Sequence, residues 1–453
     1  MKPICKALAI GLALAPAASF ATKVPLPVEG ATMNINLQFQ PQFLLTQAGT
    51  PDGTGTAYEL AVRRTRLQIN GDVGQNFSYL IQVDNANFGR YGNFTSRMVI
   101  QDAWVGWAPT GITGGTVVYI EAGILLFPFS HQSNTSTSNY ITADGQTDAV
   151  RFPGSPFSAN RDTGIQIRGW ALGKRLGFRG GVYNGYTPAA QTLGGAPANA
   201  NTAAVANCAP ATPGSCITPK RYPMVRGMVN IDVIGSEEGG WLYGAYRWQK
   251  DPVVSIGLAT NYQSQALKNA FGSLTDLRVH SADVYLNLPQ TEAAELVAEV
   301  TAFSNNNGTG SANSGLGIAA AVGYRFGRIA PYVAYDYFNS YDCDLGSLSA
   351  AQILVCNGKP GTLGTTHSAD SRNFKAGLNF FFNKNLNHVN LEFQLNHGTS
   401  AYGPLAITNG NAAYVPLALD PAVAGGPRRA ATVLSSLAQP VYKSFLVHWN
   451  YIF

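Results

Sequence analysis

Fixed charges beside a water-filled path can attract or repel passing ions, and this sequence arranges many of its charges in a way that suits such a role. Several segments carry apolar side chains at every second position, with charged or polar side chains between them. Strand side chains point alternately to opposite faces, so these charges share one polar face. The basic residues predicted on this face are Arg64, Arg66, Arg168, Arg175, Arg179, Arg226, Arg325 and Lys375. The acidic ones are Asp84, Glu121, Asp232, Asp283, Glu295, Glu299, Asp336 and Glu392.

The two signs of charge are unevenly distributed. Most of the basic residues in the middle of the chain (Arg168, Arg175, Arg179, Arg226) fall on three neighbouring segments, and the acidic ones (Asp283, Glu295, Glu299, Asp336) fall on later segments. If the segments close into a barrel, the two sets lie roughly across it and create a transverse field. The arginines could instead only solvate a wall or pair with nearby carboxylates. Arg63 shares parity with Leu67 and therefore requires a β-bulge or an interfacial position.

Patterns for enzymatic chemistry do not stand out. The sequence has no G-x-S-x-G, P-loop or H-E-x-x-H motif. His388 and His397 have opposite parity within one segment, so they cannot face a common metal ion. We predict no catalytic residue, no cofactor and no metal site. A barrel-embedded hydrolase, with its serine and histidine on distant strands, remains the enzymatic alternative.

Four cysteines lie beyond residue 21, in two close pairs, Cys208 with Cys216 and Cys343 with Cys356. An even count in an exported chain favours two local disulfides. Four unpaired thiols are the alternative, and a zinc site fits less well because no histidine lies near either pair.

The elements that carry these residues are predicted to be amphipathic membrane strands. In residues 387–397, Val389, Leu391 and Phe393 share one face while Asn390 and Glu392 share the other. One face can then meet lipid and the other water. This pattern predicts an all-β transmembrane antiparallel barrel of about 16 strands, near 32–45, 58–70, 73–84, 97–108, 116–127, 162–171, 175–184, 224–234, 253–263, 278–288, 293–303, 315–326, 329–339, 373–382, 387–397 and 441–453.

Loop lengths predict the orientation of the barrel. Outer-membrane barrels have short periplasmic turns, long extracellular loops and an even number of strands. The short 383–387 link is therefore periplasmic, and the long 398–440 connection is extracellular. The number of strands is even only if no strand within residues 235–252 spans the membrane, so this range is predicted to be one periplasmic connection. The apolar stretch from Trp241 to Trp248 is predicted to be a turn insertion or a strand extension within it.

The first 21 residues have the features of a signal peptide. Lys2 and Lys6 precede an apolar run, and Ser19 and Ala21 fit a small-x-small cleavage site. The mature chain is predicted to start at about Thr22 and to form a single barrel domain over residues 22–453. The formal net charge of the whole chain is only +5, far too small for a nucleic-acid-binding protein.

Several segments resemble the phosphate-selective porins of the O and P type. These are Arg63 to Gly71 (RRTRLQING), Gly123 to Ser130 (GILLFPFS), Arg161 to Gly169 (RDTGIQIRG), Gly181 to Gly185 (GVYNG) and Gly377 to Phe382 (GLNFFF). The resemblance implies a trimeric barrel of sixteen strands that passes anions. In trimeric porins the third extracellular loop folds inward, so the resemblance makes 128–161 a constriction loop, with Asp144, Asp148 and Arg151 as candidates. Composition alone would make 128–161 an ordinary surface loop.

These patterns together predict a porin in the outer membrane of a Gram-negative bacterium. Its channel would be filled with water and would pass small hydrophilic solutes passively, with a mild preference for phosphate-like anions. The expected partners are outer-membrane lipid, the solutes and two further copies in a homotrimer. A structural or adhesive barrel with little conductance is the main alternative, and its long loops support it.

Overall fold

The computed structural model describes residues 22–24, 26–27, 30–47, 56–89, 98–144, 161–186, 222–237, 242–268, 274–306, 314–340, 371–398 and 441–452. Its strands are β1 (Thr22–Val24), β2 (Met33–Thr46), β3 (Ala57–Val73), β4 (Phe77–Asp84), β5 (Val99–Trp107), β6 (Val117–Leu126), β7 (Arg161–Ala171), β8 (Leu176–Tyr183), β9 (Met224–Ile234), β10 (Val253–Lys268), β11 (Leu274–Thr291), β12 (Ala294–Asn306), β13 (Gly315–Phe326), β14 (Ile329–Ser340), β15 (Ser371–Asn383), β16 (Asn387–Gly398) and β17 (Val441–Ile452).

Strands β2 to β17 form a closed antiparallel barrel of sixteen strands. Each strand pairs with the next one in sequence, and β17 pairs with β2 to close the ring, with Phe445 opposite Leu45. The three-residue strand β1 pairs with the start of β2. Closure leaves the barrel without a free sheet edge, so each of the strands β2 to β17 has backbone partners on both sides.

The alternation of side chains explains why these segments form a membrane barrel. On β9, Val225 and Ile231 are 52% and 55% exposed on the outer face, while Arg226 and Asp232 are 2% and 6% exposed on the inner face. The polar residues are therefore buried and the apolar ones are exposed, the reverse of a soluble protein.

The predicted fold class and all sixteen predicted strands are confirmed, with boundaries shifted by a few residues. Strand β8 begins at Leu176, one residue after the predicted start, and β11 extends beyond its predicted range at both ends. Strand β1 was not predicted. Residues 242–250 form no strand, in agreement with one connection between β9 and β10. Among the described residues, no helix has the length and apolarity needed to span a membrane.

Two connections run inside the barrel. Residues 128–144, which follow β6 and include a short 3-10 turn at Gln132–Asn134, are largely buried. Residues 242–250, which precede β10, lie beside them. Apolar side chains from both connections pack on inward side chains of the wall, as Ile141 and Tyr246 do on Tyr285, Tyr332 and Phe381. The interior therefore has a core of its own rather than a uniform water column.

Contacts at the turns define one end of the barrel. Ser236 donates a hydrogen bond to the carbonyl oxygen of Lys174 in the β7–β8 turn, and Trp248 donates one to Asn385 in the β15–β16 turn. The start of the 235–252 connection therefore lies at the same end as these short turns, in agreement with its predicted periplasmic side.

We predict that Lys250→Cys is protected from a membrane-impermeant maleimide in intact cells, whereas Thr56→Cys reacts. The Lys250 side chain is 76% exposed at the end with the short turns, and Thr56 is exposed before β3 at the opposite end. The measurement is labelling of whole cells, with detergent-solubilised protein as the control in which both positions react. Preferential labelling of Lys250→Cys in intact cells would show that the orientation is reversed.

Candidate functional site in the barrel lumen

The charged residues predicted for the polar face mostly lie on the inner wall. All eight acidic residues are buried there, as are seven of the eight basic residues. Arg175 differs, because β8 begins one residue after it. It is exposed in the β7–β8 turn, where its Nε donates to the carbonyl oxygen of Gly235 at 3.3 Å. The buried basic residues are Arg64, Arg66, Arg168, Arg179, Arg226, Arg325 and Lys375.

A row of arginines lines the wall from β3 to β9, and we call Arg66, Arg161, Arg168, Arg179 and Arg226 the arginine wall. Three of them form ion pairs with carboxylates, listed here by donor and acceptor: Arg66 to Asp84 at 2.8 Å, Arg161 to Asp102 at 3.0 Å, and Arg168 to Glu121 at 2.7 Å. Removing both charges of a buried ion pair from water costs free energy, and this cost offsets much of their mutual attraction. These pairs therefore fix the positions of the charges without a large net gain in stability.

Sequence analysis missed the pair formed by Arg161 and Asp102. The register between β4 and β5 shifts after Gln82, so that Gln101 and Asp102 are both buried on the inner wall. A bulge of this kind breaks the alternation on which the parity argument depends. The Arg161 side chain lies at the first residue of β7, just before the predicted start of that strand.

Arg179 contacts the inward loop, and Arg226 contacts an aromatic ring. Arg179 donates from Nη1 to Asn134 Oδ1 of the inward loop at 3.3 Å. Arg226 lies over the ring of Phe127, 3.3 Å from its centroid. The two terminal nitrogens of Arg226 are buried and have no hydrogen-bond partner among the described residues. The terminal nitrogens of Arg226 therefore point into the lumen wall without an acceptor among the described residues, which is a costly arrangement for a buried charge.

The acidic residues of the later strands are largely paired. Glu295 accepts from Arg325 at 2.5 Å, and Asp336 lies 3.6 Å from Lys375. Their position also differs in part from the prediction. Asp336 on β14 lies seven strands from Arg168 on β7, nearly opposite in a ring of sixteen, but Asp283 on β11 lies only two strands from Arg226 on β9. The basic and acidic residues therefore do not face each other across one diameter of the barrel, and any electric field between them runs obliquely across the lumen.

The inward loop, defined here as residues 128–144, is anchored to β3 by Asp144. This carboxylate contacts Arg63 Nε at 2.6 Å and Arg64 Nη1 at 2.5 Å. Burial alone would raise the pKa of Asp144, but Arg63 and Arg64 hold it well below its usual range. The pairing of β2 with β3 skips Arg63, so this residue lies at a β-bulge that lets both arginines reach one carboxylate. The other constriction candidates, Asp148 and Arg151, lie outside the described residues.

The inward loop also contacts the opposite side of the barrel. Phe129 packs edge to face on Phe303 of β12, with ring centroids 6.1 Å apart. Asn379 of β15 donates to the carbonyl oxygen of Ile141 at 2.9 Å. Between these two contacts along the chain, Thr137 accepts a hydrogen bond from Arg66 of β3 at 2.7 Å. The loop therefore crosses the lumen and divides it.

His131 connects the inward loop to the 235–252 connection. Its Nε2 lies 2.9 Å from Glu237 and its Nδ1 lies 3.0 Å from Glu299 on β12. The imidazole is stacked between the rings of Tyr243 and Tyr285, at centroid distances of 4.8 and 4.0 Å. Burial lowers the pKa of His131, but the two carboxylates outweigh burial and raise it to about 10. The protonated imidazole therefore bonds to two carboxylates and stacks between two aromatic rings, and we call this arrangement the His131 clamp.

A narrow cleft lies between the arginine wall and the 235–252 connection. It is bordered by Arg168, Arg179, Asn230, Asp232 and Tyr243, among others. Within the part of the chain that the structure describes, no cluster of histidine, cysteine and carboxylate side chains could hold a metal ion. The four cysteines predicted to form disulfides lie outside that part.

Comparisons with known proteins agree with the geometry. Residues 34–195 match the family described as phosphate-selective porin O and P, which confirms the resemblance predicted from the sequence. No curated protein matches the chain at the sequence level.

Similar solved structures include the outer membrane channel DcaP of Acinetobacter baumannii, at 11% identity and a TM-score of 0.50 over 96% of this chain and 100% of that one. An anion-selective porin from Comamonas acidovorans is 12% identical, with a TM-score of 0.50 over 93% and 100% of the two chains. OprB of Pseudomonas putida is 7% identical, with a TM-score of 0.54 over 93% and 94%. At these identities the similarity shows the fold. Together with the family match, it identifies an outer-membrane channel of a Gram-negative bacterium.

The His131 clamp predicts a loss of stability at alkaline pH. An unfolded histidine loses its proton near pH 6.5, whereas His131 keeps it up to about pH 10 in the folded protein. The stabilisation is thus fully present below about pH 6.5 and is lost as the pH rises through about 10. We expect calorimetry to show that His131→Gln lowers the melting temperature most at pH 6 and least near pH 10.

The matched control is His280→Gln, because His280 is exposed on the outer face of β11. This variant should follow the pH profile of the unaltered protein. A constant difference between His131→Gln and the unaltered protein over this pH range would contradict a charged clamp.

Proposed function

We propose that this outer-membrane channel, whose residues 34–195 match the phosphate-selective porin O and P family, passes small hydrophilic solutes by passive diffusion with a mild preference for anions. A barrel of sixteen strands is too wide for wall side chains alone to fill, so water occupies the space that the internal segments leave. Solutes would follow the arginine wall, where the cleft lies.

The observation that carries the anion preference is the environment of Arg226. Its guanidinium group is buried at the wall, where it contacts the thioether of Met224 and the ring of Phe127, and its two terminal nitrogens have no hydrogen-bond partner among the described residues. An arginine stays protonated at any working pH, so the charge is permanent. An anion that passes near it gains favourable energy, whereas a cation meets a barrier.

The size of this effect suits permeation rather than trapping. A unit charge about 4 Å from an arginine gains roughly 1–4 kcal/mol at effective dielectric constants between water and a protein surface. This energy biases the flow of ions but lets each ion leave within a short time. The proposal therefore concerns a diffusion pore and not a high-affinity binding protein.

The assembly and processing predicted from the sequence are part of this proposal. We propose a homotrimer in outer-membrane lipid, a signal peptide over residues 1–21, and disulfides between Cys208 and Cys216 and between Cys343 and Cys356. We also propose that the protein is not an enzyme, since its family match and its fold are those of channels.

A barrel with little conductance is the second candidate. The observation in its favour is that both the inward loop and residues 242–250 occupy the lumen. Recording from planar lipid bilayers separates the two candidates. Stepwise current increments on addition of the purified protein support the channel, and a silent membrane at high protein concentration supports the closed barrel.

The selectivity prediction concerns Arg168, Arg179 and Arg226. Their joint replacement by glutamine should leave a folded, conducting barrel and shift the reversal potential in a KCl gradient toward cation preference. The shift should be largest at about 0.01 M ionic strength, where the Debye length is roughly 30 Å. The reason is the removal of three fixed positive charges from the inner wall.

The matched control removes three positive charges outside the lumen, at Arg175, Arg278 and Lys384. The side chain of Arg278 is 58% exposed, and Arg175 and Lys384 are exposed in turns. This control should keep the reversal potential of the unaltered protein. If the variant with Arg168, Arg179 and Arg226 replaced keeps the selectivity of the unaltered protein at low salt, the proposed role of the arginine wall is wrong.

A further inference from the structure

We infer that residues 242–250 form a second constriction element of the channel, which enters from the periplasmic side, and that the ring of Tyr243 sets the size limit of the passage there. This inference rests on the proposed channel function and extends it. It concerns the size of the solutes rather than their charge.

The connection between β9 and β10 is built to turn into the lumen. It spans residues 235–252, eighteen residues, whereas the other turns at this end have between two residues, as at 327–328, and nine, as at 108–116. It starts at Gly235, whose φ of +67° is a conformation that other residues rarely adopt. A Cβ at this position would lie 2.1 Å from the carbonyl oxygen of Pro252, so glycine permits the close approach of the two ends.

The segment is fixed to the inward loop by backbone hydrogen bonds. The amide of Tyr243 donates to the carbonyl oxygen of Asn134 at 2.9 Å, and the amide of Ser136 donates to the carbonyl oxygen of Tyr243 at 2.9 Å. Thr135 and Tyr243 thus form a parallel bridge. The amide of Ala245 donates to the carbonyl oxygen of Asn139 at 3.0 Å. Backbone pairing of this kind gives the segment a defined register inside the lumen.

The segment is also fixed to the wall on its other side. Tyr285 donates from its hydroxyl group to the carbonyl oxygen of Ala245 at 2.7 Å, and Asn385 donates to that of Tyr246 at 2.8 Å. The guanidinium of Arg325 lies 3.9 Å from the ring centroid of Trp248. The segment is therefore held between the inward loop and strands β11 to β16, and not by one neighbour alone.

Tyr243 is the side chain that reaches from this segment to the arginine wall. One face of its ring stacks on His131, and its hydroxyl group accepts a hydrogen bond from Asn230 Nδ2 of β9 at 3.0 Å. The cleft beside the arginine wall is bordered by Tyr243 on one side and by Arg168 and Arg179 on the other. A neutral ring in this position restricts the width of the passage without adding charge.

The functional test is Tyr243→Ala, which removes the ring and leaves the wall charges unchanged. We expect a higher single-channel conductance and faster swelling of liposomes in sugars of increasing size, with little shift of the reversal potential. Tyr243→Phe, which keeps the ring, should retain the size limit of the unaltered channel. Tyr262→Ala is the matched control, because Tyr262 is 42% exposed on the outer face of β10; it should also behave like the unaltered channel.

A Tyr243→Ala channel with the conductance and the size limit of the unaltered channel would overturn the inference and leave the proposed channel function intact. If the unaltered protein itself carries no current, the proposed function fails instead. A second measurement then still tests whether the segment lies in the lumen.

This second measurement is a cysteine cross-link between Thr135→Cys and Tyr243→Cys. Bridged neighbours lie roughly 5 Å apart, within the range that a disulfide spans. Peptide mapping of the oxidised, folded double variant should find the 135–243 link. The control pair, Thr135→Cys with Tyr262→Cys, has one position on the outer face of the barrel and should give no link. Failure of the first pair to cross-link would overturn the placement of the segment.

Discussion

The closure of the sheet is the constraint on which the rest of this structure depends. In hydrocarbon a backbone amide or carbonyl has no water to bond, so each strand needs a partner on both sides. The pairing of β17 with β2 satisfies this need. Closure then fixes which side chains face inward, because side chains alternate along each strand except at its bulges. It also creates an interior that wall side chains cannot fill, and two connections of the chain enter that interior.

Ionic contacts inside the barrel act together with the apolar packing of the internal connections on the wall. The inward loop is held at one end by Asp144 on Arg63 and Arg64, and near its start by His131 between Glu237 and Glu299. Removing one member of such a buried pair leaves an uncompensated charge, which is costly. The position of the loop, and with it the shape of the passage, is therefore specified by a small number of ionic contacts.

The sequence was sufficient to predict the strands and the sides of most charges, because both follow from a period of two. It was also sufficient to require a bulge or an interfacial position at Arg63, and the bulge is observed. Parity could not reveal the pairing of Asp102 with Arg161, since a bulge at Gln101 hides it. It also could not predict the path of residues 242–250. Their contacts join distant parts of the chain, and the only local signal is an aromatic stretch too long for a short turn.

The bridge between Thr135 and Tyr243 has a consequence for the order of assembly. The inward loop follows β6, and its partner segment precedes β10, yet that segment is also bound to Asn385 in the turn before β16. The lumen contacts therefore cannot be complete until fourteen of the sixteen barrel strands have been made, and they then connect early and late parts of the chain. A barrel that closed first would have to admit both segments through its open ends. The interior and the last seam of the sheet are thus expected to form together, as one cooperative step.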